Sequence, residues 1–202
     1  MKVLYTLIGI ITLSAIIFYI ISCKGKSSKN IQVSTQDSLD KGSIKKTKVT
    51  ENLYPELRNK ALTITASELN LNSKENMASV FGVVMDWDIG EAIATVVAFN
   101  TGDVSLYISA GQIYIGGIGH ENVRNAGLSF INESQSYLSL ATMTNDTRLP
   151  DKGCVKFYLL TNKGKFAFQE TVENLSNNNS KWSKLFDLGN NIITEYRTII
   201  DK

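Results

Sequence analysis

Between Val80 and Ser109 three runs rich in β-branched and aromatic residues, Val80–Trp87, Ala92–Phe99 and Val104–Ser109, are separated only by Asp88-Ile89-Gly90 and Asn100-Thr101-Gly102 with their immediate flanks. Connections this short join antiparallel neighbours, because a parallel pair needs a crossover of about a dozen residues or more. The segment therefore folds as a meander, which a fourth short run, Gln112 to Ile115, extends. Val155–Thr161 and Phe166–Val172 form a second hairpin across Asn162-Lys163-Gly164. Three stretches carry helical periodicity instead. Leu57, Ala61 and Ile64 mark one from Pro55 to Leu69, with Pro55 suited to a first turn. Val123, Ala126, Phe130 and Tyr137 mark another from His120 to Ala141. Leu185, Leu188, Ile192 and Tyr196 mark a last one, which Ser180 is placed to cap. The order helix, three or four strands, helix, two strands, helix predicts an α+β fold. It comprises a single antiparallel sheet of five or six strands packed with three helices, in one domain over residues 51–202.

Ahead of that domain, Val3 to Ser22 is uncharged and, as a helix, about 30 Å long, enough for the hydrocarbon core of a bilayer. Its end, Ile20-Ile21-Ser22-Cys23, resembles the lipobox of bacterial lipoprotein signal peptides: two apolar residues, a small one, then cysteine. The resemblance implies cleavage before Cys23, which becomes the acylated first residue and carries several palmitate-like chains. It also implies an address on a membrane of the bacterial cell envelope, facing the periplasm or the exterior. Lys24, Lys26 and Lys29 follow the run where only Lys2 precedes it, so residues 1–22 as an uncleaved single-pass transmembrane helix stay open as the alternative.

Residues 23–50 read as a flexible basic stalk, with seven lysines against Asp37 and Asp40 and no sustained apolar period. From Glu51 onward thirteen basic residues face seventeen acidic ones. The slightly basic whole is thus a basic tail joined to an acidic domain, which argues against nucleic acid as a partner. Two cysteines, one of them spoken for by lipid, exclude a disulfide framework. Cys154, opening a strand, is expected as a buried apolar thiol.

Three constellations bear on chemistry. Gly116-Gly117-Ile118-Gly119 runs from a strand into the helix beginning at His120, where free backbone amides favour anions; Gly116, Gly117, Gly119, His120 and Arg124 are therefore candidate ligand-binding residues. The third glycine of a dinucleotide fingerprint is replaced by Asn122, and no Walker lysine is present. Asp86, Asp88 and Glu91 crowd the first hairpin turn and are the candidate metal site, although their spacing is not that of an EF-hand. His120 is the only histidine, so a multi-histidine metal centre is excluded and no catalytic residue is assigned. No cofactor motif is found and none is expected. These features favour a membrane-anchored, non-enzymatic binding or interaction lipoprotein with a protein partner. A small-ligand sensor or hydrolase using the 116–119 loop and His120 is the alternative.

Overall fold

Each tight reversal in the sequence becomes a hairpin in the computed structural model, which describes residues 45–46, 53–71 and 77–200. The elements run β1 (Lys45–Lys46), α1 (Tyr54–Thr63), β2 (Val80–Asp88), β3 (Ile93–Phe99), β4 (Val104–Ile108), β5 (Ile113–Ile115), α2 (Glu121–Ser134), β6 (Thr142–Met143), β7 (Cys154–Thr161), β8 (Gly164–Thr171), α3 (Val172–Ser176) and α4 (Ser183–Ile200). All strands join one antiparallel sheet in the order β1-β5-β4-β3-β2-β7-β8-β6. The lipobox, anchor and stalk readings lie outside the described residues, apart from Lys45–Lys46, which pair with Ile115 and Tyr114. No helix among the described residues is long and apolar enough to cross a membrane.

The α+β class and the single antiparallel sheet are as expected, but the sheet is wider. The two-residue strands β1 and β6 extend its two rims, and α3 is a fourth helix. Local polar chemistry accounts for the shifted boundaries. The Thr171 hydroxyl accepts from the Asn174 amide, capping α3 and ending β8 one residue before Val172. α1 stops at Thr63 because Ile64 turns extended, with ψ 141°. Thr65 and Glu68 then bond reciprocally: the Thr65 amide donates to the Glu68 carboxylate, and the Glu68 amide donates to the Thr65 hydroxyl. α2 tightens to a 3₁₀ turn over Gln135–Leu140 rather than continuing to Ala141.

Period-two alternation divides the sheet between two cores. Val84, Val97, Tyr107, Tyr158 and Leu160 turn toward Tyr54, Ala61 and Leu62 of α1. The opposite face carries α2 and α4, which pack on each other. Trp87 meets Phe186 edge-on at 5.2 Å, while Trp182 lies parallel to Phe168 at 4.2 Å and near Phe157 at 5.5 Å. α4 sits close to the sheet because Gly189 leaves room for Met85, whose sulfur would be 2.5 Å from any Cβ there.

Candidate functional site

The glycine loop owes its composition to packing. Gly116 has φ 95°, a left-handed conformation that favours glycine, and Gly117 opens a 3₁₀ turn ending at Gly119. A Cβ on Gly117 would stand 2.5 Å from the Tyr196 hydroxyl, which itself donates to the Val104 carbonyl at 2.6 Å. The loop is thus clamped between β4 and α4. The methylene stem of Arg124 lies on Gly102 of the β3–β4 turn, where Ile118 of the loop also packs. His120 precedes α2 in an extended conformation and makes no side-chain cap. Its Nε2 is buried without a hydrogen-bond partner among the described residues. The Cys154 thiol is buried, and burial first, then nearby Asp151 and Glu170, push its pKa up, opposite to what a nucleophile needs. No hydrogen bond joins Cys154 to His120, so they form no Cys–His pair.

Asp86, Asp88 and Glu91 do not converge, which corrects the metal reading. Among the described residues no three His, Cys, Asp or Glu side chains come together as a metal would require. Asp88 accepts from the Gly90 and Gly153 amides, fastening the β2–β3 turn to the chain before β7, and Glu91 is exposed. Asp86, fully buried, turns instead to α1. Its carboxylate accepts from Arg58 Nε at 2.9 Å and Nη2 at 2.6 Å, and from the Thr95 hydroxyl at 2.6 Å. Because the single Thr95 proton is used there, the Tyr54 hydroxyl is the donor in its 2.9 Å bond to Thr95. Arg58 Nη1 donates to the Thr147 carbonyl and Tyr158 to the Arg148 carbonyl, so the cluster also ties down the segment between β6 and β7. Burial alone would lower the Arg58 pKa, but its hydrogen bond to Asp86 and the charge there outweigh burial and hold it above its usual value.

The same cluster sets an alkaline limit on stability. Burial first, and the Asp86 carboxylate second, push Tyr54 and Tyr158 up to about 12. Unfolded tyrosine ionises near pH 10. Below that both states are neutral and the full stability is present; between pH 10 and about 12 the unfolded chain ionises first, and stability is lost. Denaturant midpoints should therefore be level from about pH 8 to 9.5 and fall steeply above 10. A midpoint still level at about pH 11 would contradict the burial of these phenols.

On the α1 face, a cleft of about 480 Å³ opens between the end of α1 with its following turn and the β7–β8 hairpin. Leu62, Ala66, Phe81 and Leu160 form an apolar floor. Thr65, Ser67, Asn145, Asn162 and Lys165 bring polar side chains to its sides. Lys165 is directly across from Leu160 in the register, so its stem lies on the floor and its charge at the rim.

No protein-family model, curated protein or solved structure matches the chain.

The cleft thus stands on its own geometry. None of the sequence-derived candidates lines it. The readable signal was Thr65-x-x-Glu68, a capping box inside the expected helix, which marks where α1 breaks and the cleft wall begins.

Proposed function

We propose that this chain is a non-enzymatic, membrane-anchored binding lipoprotein of the bacterial cell envelope, tethered through Cys23 and holding a small ligand in the cleft between α1 and the β7–β8 hairpin. One observation carries the reading: the cleft joins an apolar floor to a few hydroxyl, amide and ammonium groups at its rim, the usual make-up of a small-molecule site. Its volume falls in the range of such sites, about 300 to 1,000 Å³, whereas a stable protein interface uses a flatter surface of about 800 Å² on each side. The groups that would otherwise suggest catalysis are set for other roles: Asp86 holds Arg58, and Cys154 is a buried thiol with a raised pKa.

Two measurements test the two halves of the proposal. Palmitate should label the full-length protein and fail to label Cys23→Ala; an unlabelled wild type sinks the lipid anchor and leaves the uncleaved helix. A small-molecule screen against the full-length chain in lipid nanodiscs should give ligands that shift the methyl resonances of Leu62, Ile64 and Leu160. Those shifts should vanish in Ser67→Trp, which places an indole in the cleft from an exposed position. Hits that move only the methyls of Ile115 and Ile118 would favour the glycine loop instead.

A further inference from the structure

We infer that the ligand of the cleft is a small carboxylate with an apolar body, its carboxylate on Lys165 and its body on Leu62, Phe81 and Leu160. This rests on the cleft reading above and adds the ligand's chemistry to it. Among the described residues, Lys165 is the one ionisable side chain lining the cavity. It makes no ion pair or side-chain hydrogen bond with any described residue, unlike Lys156 and Lys184, which hold Asp146 and Glu133. The Asn145 carboxamide, also on the lining, bonds to no described residue and adds an N–H donor. A half-buried lysine beside an apolar floor is complementary to a ligand that ends in a single negative charge.

The opposite wall fixes the ligand's direction. It is built from the carboxy-terminal end of α1, whose carbonyls repel negative charge, and from the turn that Glu68 closes on Thr65. The Glu68 carboxylate, beside the lining rather than on it, accepts from the Thr65 hydroxyl and amide, which hold its pKa below the usual value. Among the described lining residues, the β8 wall thus carries the ammonium and the α1 wall carries hydroxyls and helix-terminal carbonyls, with Lys60 and Glu68 off the lining. The carboxylate belongs on the β8 wall, and the apolar body crosses the floor toward α1.

The test compares 4-phenylbutyrate with the neutral 4-phenylbutanol, titrated into the full-length chain in lipid nanodiscs and read at the methyl groups of Leu62, Ile64 and Leu160. Reading at those methyls separates the cleft from partition into lipid. The acid should bind about tenfold more tightly than the alcohol, the scale of one charge-assisted hydrogen bond. Lys165→Gln should remove that preference while leaving the methyl spectrum of the free protein in place, and Lys165→Arg should keep most of it. Equal binding of acid and alcohol, or a preference unchanged in Lys165→Gln, overturns the anionic class and leaves the cleft as a site. Failure of both compounds to shift the three methyls at millimolar concentration overturns the cleft reading as well.

Discussion

Replacing Arg58 by methionine should lower the unfolding free energy by about 3 to 5 kcal/mol, the usual cost of stranding one member of a buried ion pair. Asp86 is fully buried, and the three hydrogen bonds it accepts come from Arg58 and Thr95. Without the guanidinium, a carboxylate in the middle of the sheet keeps only the Thr95 hydroxyl. The same change frees the Thr147 carbonyl, so the segment between β6 and β7 loses its tie to α1. Arg58→Met combined with Asp86→Leu should recover much of the loss, because an apolar pair of similar size often matches a buried ion pair in stability. Urea or guanidinium denaturation of the two single variants and the double variant measures the coupling directly. A single variant within about 1 kcal/mol of wild type would mean that the pair is solvated.

Trp182→Ala should be comparably costly, about 3 to 5 kcal/mol, as for other buried large aromatics. Trp182 is 2% exposed and joins the β7–β8 hairpin to the 3₁₀ turn that follows α2. Its indole lies within 6° of parallel to Phe168 of β8, packs on Phe157 of β7, and reaches Tyr137 of the 3₁₀ turn at 5.1 Å. Removing it leaves a cavity, exposes Phe168 on a half-buried strand and frees the start of α4. Aromatic contacts of this kind add about 0.5 to 1.5 kcal/mol each beyond the area they bury, so Trp182→Phe should lose less than half as much as Trp182→Ala. The chain has two tryptophans, so fluorescence of Trp182→Ala isolates Trp87 while denaturation reports the loss. A variant as stable as wild type would show that the stack contributes no net stability.

The parts of the fold legible in the sequence were those set by short-range chemistry. Asp88-Ile89-Gly90, Asn100-Thr101-Gly102 and Asn162-Lys163-Gly164 mark hairpins because glycine and Asx residues supply the turn backbone, and Gly90, Gly102 and Gly164 do have positive φ. The strands between them follow without knowledge of the rest. The rim strands β1 and β6 were not legible, because two residues have no periodicity and their pairing is decided by whatever edge lies beside them. The buried charge cluster was hidden for a different reason. Arg58 occupies a helix otherwise read by its apolar spacing, and Asp86 was grouped with the solvated carboxylates of the turn beside it. Asp86 nevertheless sits in Val83-Val84-Met85-Asp86-Trp87, a run apolar on both sides, and such a carboxylate needs a cation brought to it from elsewhere in the fold. The cleft was invisible because it is made by two segments about a hundred residues apart, the turn after α1 and the β7–β8 hairpin, and no spacing rule links them.

The pairing of β1 with β5 also has a directional meaning. In the order of the sheet six steps separate β1 from β8, about 29 Å along the sheet at the usual interval between strands. The chain joins the sheet at one margin, and the cleft is cut into the far side. The mouth of the cleft therefore lies at the margin of the sheet remote from Lys45.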